Sequence, residues 1–116
     1  MSERTRLERE HAMLERIEVR VSPIHGKGVF ARRRLRAGQL IGRFEGDTTT
    51  NNGTYVLWLI DEDGGEVGIR GRNALRFLNH GDPENAEFED ANLFAIANIQ
   101  PGVEVMIDYG EAWGAD

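Results

Sequence analysis

What most constrains this chain is that its apolar residues come in short, β-prone runs cut apart by turn residues. Ile17, Val19 and Val21 alternate with Glu18 and Arg20 with the period of a half-buried strand, and Pro23 ends that run. Gly26 and Gly28 flank Lys27 ahead of Val29 and Phe30, which predicts a tight turn feeding a second short strand. A turn at Ala37-Gly38 leads to a strand over 39–44, and 46–53 has the composition of an exposed loop. Residues 54–60 form the longest β-prone run, and the Asp63-Gly64 pair marks a hairpin connection to a short strand before Gly71. Ala74, Leu75, Phe77 and Leu78 fit one helical turn or a short buried segment equally well. Residues 93–99 read as a strand with Leu93, Ala95 and Ala97 on one face, Pro101-Gly102 as a turn, and 103–109 as the closing strand. Many short strands with frequent turns imply a mostly β core carrying small helical elements.

The first residues differ. Residues 2–15 are good helix formers with Leu7, His11 and Leu14 on one face, so 1–16 is expected to be a helical extension or tail on a main domain over 17–116. At 116 residues the chain suits one domain. No apolar run approaches the roughly 18 residues of a membrane span, and nothing after Met1 resembles a signal sequence, so no membrane is expected and cytoplasmic residence is the default. There is no cysteine, which excludes disulfides and thiolate metal sites, and three scattered histidines lack ligand spacing, so no metal is implied. A formal net charge of -6 argues against direct nucleic-acid binding and favours a basic partner or simple solubility.

Order and spacing add specificity to motifs that are weak singly. Gly26-Lys27-Gly28 is followed by Tyr55-Val56-Leu57-Trp58, then by Asn73-Ala74-Leu75-Arg76-Phe77-Leu78-Asn79-His80-Gly81 with Asn85, and finally by the stretch from Gly102 to Asp108-Tyr109-Gly110. This series resembles the SET-domain protein-lysine methyltransferases, whose pattern is a G-x-G turn, a strand with a tyrosine, GN-x-x-RF-x-NHS-x-x-x-N, and GEE-x-x-x-DYG. The resemblance covers about residues 17–113. Gly81 stands in place of the family's Ser, Glu84 where Pro is frequent, and Val103 in place of the first Glu of the GEE pair. With neither flanking zinc clusters nor a long central insertion, the chain is most similar to minimal viral and bacterial SET proteins. The resemblance implies a β-clip fold of several short sheets with a threaded, pseudoknot-like C-terminal segment, and a homodimer as one arrangement open to it.

It also implies transfer of methyl groups from S-adenosylmethionine to lysine side chains of a protein, with S-adenosylhomocysteine as product. A lysine ammonium, with its reference pKa near 10.4, cannot attack a methyl group, so the site must favour the neutral amine by withholding water. The family's catalytic tyrosine corresponds to Tyr109, whose neutral hydroxyl would orient the amine. Tyr55 and Phe88 are candidates for the lysine channel. A phenylalanine at position 88 implies room for di- or trimethylation. Gly26, Lys27, Gly28, Asn79 and His80 are implied for the cofactor, with glycines allowing close backbone approach and Asn79 offering donor and acceptor. Trp113 is a candidate lid. Arg76, Phe77, Asn85 and Glu104 are expected to be architectural, and His11 and His25 structural or on the surface. The substrate is then a protein with a basic, lysine-containing segment. The alternative from another class is a SET-like module that binds a peptide or subunit without turnover.

Overall fold

The computed structural model describes residues 3–110, with side chains from Thr5 onward. Helix α1 (Glu3–Arg16) precedes ten strands: β1 (Ile17–Val21), β2 (Lys27–Ala31), β3 (Leu40–Arg43), β4 (Gly46–Thr49), β5 (Val56–Ile60), β6 (Glu66–Gly71), β7 (Asn79–His80), β8 (Ala86–Glu89), β9 (Asn92–Ala95) and β10 (Glu104–Ile107). A 3-10 turn over Ala74–Phe77 stands between β6 and β7. The strands form three small sheets, ordered β1-β2-β10-β7, β3-β9-β8 and β4-β6-β5. No described helix is long and apolar enough to cross a membrane.

One core joins the sheets. Ile17, Val29, Leu35, Ile41, Leu75, Leu93 and Val105 are fully buried, one from almost every segment in which the sequence alternates. Such a core stands on burial alone, at roughly 25 cal/mol per Å² of apolar surface. The C-terminal strand positions the site. β10 inserts between β2, to which it is antiparallel (Val105 beside Val29), and β7, to which it is parallel (Met106 beside Asn79, Ile107 beside His80). Asn85 fastens it there. Its Nδ2 donates to the Glu104 carbonyl (2.8 Å), and its Oδ1 accepts from the Met106 N–H (2.8 Å). A side-chain amide thus substitutes for a neighbouring strand at a point where β10 would otherwise leave two backbone groups unsatisfied.

Three expectations need correction, and one strand was not anticipated. The helix docks chiefly by Arg9, Met13 and Arg16, and of the expected Leu7, His11 and Leu14 face only Leu14 packs against the core: Leu7 is 48% exposed and His11 is exposed, while Met13 is 2% exposed. The cause lies in β3, where a Cβ at Gly42 would collide with the Met13 sulfur, so the glycine leaves the socket that Met13 fills. Arg9 pairs with Glu45, and Arg16 Nη1 donates to the Ile41 carbonyl (3.2 Å). Part of the supposed loop at 46–53 is strand β4, because β6 offers it a complete partner from Gly46 beside Gly71 to Thr49 beside Gly68. The strand begun at Asn92 stops at Ala95, leaving Ile96 and Ala97 exposed, since its partner β8 pairs only as far as Ala86. β8 itself went unread because Ala86-Glu87-Phe88-Glu89 has only two apolar residues in alternation.

Candidate active site

The β1–β2 connection is a turn tied within itself. The Ser22 N–H donates to the Gly26 carbonyl (2.7 Å), and the Ile24 N–H donates to Ser22 Oγ (3.0 Å). Gly26 takes φ +46°, in the left-handed region that a side chain disfavours. At Gly28 the constraint is contact, since a Cβ would collide with Glu104 Oε2 and stand 3.1 Å from Asn79 Nδ2.

Asn79, 4% exposed, knots this turn to β10. Its Nδ2 lies 3.2 Å from the His25 carbonyl, 3.1 Å from the Lys27 carbonyl and 2.8 Å from Glu104 Oε2. All three partners are acceptors, which fixes the atom as nitrogen and shares its two hydrogens among them. Asn79 Oδ1 accepts no bond among the described residues. On the far side Ser22 Oγ, already accepting from Ile24, donates to both oxygens of Glu104 (2.8 and 3.1 Å). Glu104 therefore acts only as an acceptor, as a carboxylate does.

The parallel β7–β10 pair brings His80 and Tyr109 together. The Tyr109 N–H donates to His80 Nδ1 (3.1 Å), and the rings meet edge to face with centroids 5.5 Å apart. Asp108 Oδ1 lies 3.8 Å from the same nitrogen, yet it already accepts the Gly110 N–H at 3.1 Å. The shorter backbone bond decides the tautomer: Nδ1 presents its lone pair, leaving Nε2–H as the donor of an exposed ring. The half-buried Tyr109 hydroxyl donates to the Leu78 carbonyl (2.7 Å). Burial pushes that hydroxyl above the ordinary tyrosine value of 10.0. The His80 backbone amide opposes the shift, while the Glu104 carboxylate and Tyr55 reinforce it. The phenol holds its proton at neutral pH.

Tyr55 approaches from β5. It takes φ +68°, unusual for a bulky residue and costing about 1–3 kcal/mol, and its carbonyl accepts the Gly71 N–H (2.7 Å). Its ring stands edge-on to Phe77, centroids 5.7 Å apart. Phe77 also receives the Arg76 guanidinium (4.2 Å) and the Lys27 ammonium (5.4 Å) over its ring. Strain held beside a functional surface is a common sign of a position fixed for use.

A buried knot of two carbonyls, an amide and a carboxylate thus stands next to the Leu78 carbonyl, which holds a phenol in its neutral form. The chain belongs to the SET domain family, whose model matches residues 26–110. Its fold is also that of solved SET-type structures. The methyltransferase domain of human PR domain-containing protein 2 has TM-score 0.66 and 23% identity over 84% of this chain and 80% of that one. The methyltransferase domain of human histone-lysine N-methyltransferase SETMAR has TM-score 0.69 and 20% identity over 80% and 44%. The Chaetomium thermophilum complex ctPRC2, in an autoinhibited conformation bound to S-adenosylmethionine, has TM-score 0.72 and 19% identity over 84% and 15%. This chain thus spans about a seventh of the ctPRC2 chain it matches.

Of the residues read from the sequence, Lys27, Gly28, Asn79, His80 and Tyr109 come together around β2, β7 and β10, and Gly26 shapes the turn beside them. Tyr55 lies close enough to influence the Tyr109 hydroxyl. Phe88 meets the buried Phe44 edge to face, centroids 5.9 Å apart. Trp113 lies outside the described residues. Gly81, the departure from the family's Ser, has a local cause: a Cβ there would stand 2.6 Å from Met106 Sδ, whose side chain fills that space.

Of the residues expected to be architectural, Asn85 brackets backbone, and Glu104 ties Ser22 to Asn79 through its carboxylate. Ser22 and the His25 carbonyl were not read from the sequence, and Phe77, expected only to be architectural, stands edge-on to Tyr55. The side-chain partners of Glu104 were not legible because, in an alternating run, its charge reads as the solvent-facing position.

Proposed function

We propose that this protein is an S-adenosylmethionine-dependent methyltransferase acting on lysine side chains of a protein. The observation that carries the reading is Tyr109, held neutral and aimed by Leu78 next to the Asn79 knot. The residues fit the cofactor, because its ammonium and sulfonium need acceptors and the site concentrates them: Asn79 Oδ1, the 25–27 turn and the Glu104 carboxylate. Lys27, Gly28, Asn79 and His80 would hold it. When bound, it supplies a methyl group on a positively charged sulfur.

The chain's own residues prepare the acceptor. Tyr55 and Phe77 offer an aromatic wall that a lysine stem can follow while its ammonium loses water, which lowers the cost of shedding a proton. With its hydrogen given to the Leu78 carbonyl, the Tyr109 hydroxyl presents an oxygen lone pair, which fixes the direction of the amine and stabilises the positive charge developing on its nitrogen. Because burial keeps it protonated, Tyr109 acts by orientation and not as a strong base. The substrate is a basic segment, drawn by the net charge of -6.

Calorimetry with S-adenosylhomocysteine tests the site without knowledge of the substrate, and roughly micromolar binding is expected. Methyl transfer to a lysine-rich peptide mixture, lost in Tyr109→Phe while cofactor binding survives, would establish turnover. Binding without transfer in the wild type would instead favour a non-catalytic binding module.

A further inference from the structure

Glu104 is 8% exposed, its carboxylate accepts bonds only from Ser22 and Asn79, and it has no cationic side chain within ion-pair distance among the described residues. The cations on the neighbouring strands β1 and β2 are committed elsewhere. Arg20 lies over Phe30 at 4.3 Å and pairs with Glu18, and Lys27 Nζ lies over Phe77. A buried carboxylate without a counter-charge is costly, since two or three neutral donors do not replace a cation in a low-dielectric interior. Its place is specific: Gly28 brings the 25–28 turn down onto Oε2, and Asn79 joins that oxygen to the His25 and Lys27 carbonyls.

We infer that Glu104 is the charge-selecting residue of the cofactor site, favouring the positively charged sulfonium donor over the neutral thioether product and so promoting product exchange after each transfer. The inference rests on the cofactor reading above. S-adenosylmethionine carries one more positive charge than S-adenosylhomocysteine, and otherwise the two differ by a methyl group. A fixed negative charge under their common seat therefore acts on the difference between them, whereas a merely structural residue acts on both alike. Glu104 is in this sense a positioning and selecting residue, acting through the turn and through charge without touching the reacting atoms.

The test is calorimetric affinity of the full chain for both ligands, in wild type, Glu104→Gln and Ser22→Ala. Gln keeps a hydrogen-bonding group for Ser22 and Asn79 but removes the charge. Glu104→Gln is expected to weaken the donor about tenfold relative to the product. Ser22→Ala, which withdraws a donor from the carboxylate and leaves its charge less compensated, is expected to move the ratio the other way by about twofold. Equal loss of both affinities in Glu104→Gln, or no change in their ratio, overturns the inference and returns Glu104 to a structural role. If Glu104→Gln does not fold, Ser22→Ala decides: a ratio unchanged or shifted toward product contradicts the proposal. Failure of wild type to bind either ligand is a different result, for it removes the cofactor reading itself.

Discussion

Tyr109 keeps its proton because burial disfavours the phenolate and the Glu104 carboxylate adds a repulsive charge to it. With a folded-state pKa above 10.0, the residue's contribution to stability is present below pH 10 and lost as pH rises through the folded value. Ultraviolet titration of the chain, which has two tyrosines, should show a late-ionising component that disappears in Tyr109→Phe and moves earlier in Glu104→Gln. A single component near 10 would contradict the burial described. Tyr55 offers a second residue-scale outcome. Tyr55→Gly relieves the φ of +68° while losing one edge-to-face contact, so stability should change by less than about 1 kcal/mol although methyl transfer falls at least about tenfold. Thermal unfolding beside peptide assays checks the split. Gly28→Ala has no such balance: its Cβ meets a buried carboxylate and an amide already in use, and a loss of about 1–3 kcal/mol with loss of cofactor binding is expected.

At the scale of elements, α1 is attached by one socket. Met13→Ala should cost about 2–5 kcal/mol, since the β3 strand at Gly42 cannot close the space, whereas Arg9→Ala should cost less than about 1 kcal/mol because its ion pair is partly exposed. Chemical denaturation would measure both, and equal effects would contradict the socket. Asn85→Ala should cost about 1–3 kcal/mol by leaving the Met106 N–H and Glu104 carbonyl of β10 without their bracket. These elements differ in how far the sequence showed them. β1, β2, β5 and β10 were legible because alternation and turn residues agree there, and Asn79, His80 and Tyr109 because they sit within ordered motifs. The docking face of α1 was not legible, because it depends on a missing side chain at Gly42, about thirty residues away in the chain. β4 was not legible either: Gly46-Asp47-Thr48-Thr49 has turn composition, and only pairing to β6 makes it a strand.

At the scale of the whole molecule, Lys and Arg concentrate before residue 46, and Asp and Glu after it, so the net charge of -6 is unevenly carried along the chain. Tyr55, Asn79, His80 and Tyr109 all belong to the acidic part of the sequence, and for the basic substrate proposed above peptide affinity is expected to weaken as salt rises. The chain also has a single lysine, Lys27, with its ammonium over Phe77, so a mass shift on an added peptide is easily told from any on the protein. The most direct measurement therefore incubates the full chain with S-adenosylmethionine and a lysine-rich peptide mixture and locates the added mass by fragmentation. Methyl groups on lysine Nε, present with wild type and absent with Tyr109→Phe, are the expected result. Wild type that binds the cofactor yet transfers no methyl to any lysine, or a Tyr109→Phe chain as active as wild type, would contradict the account.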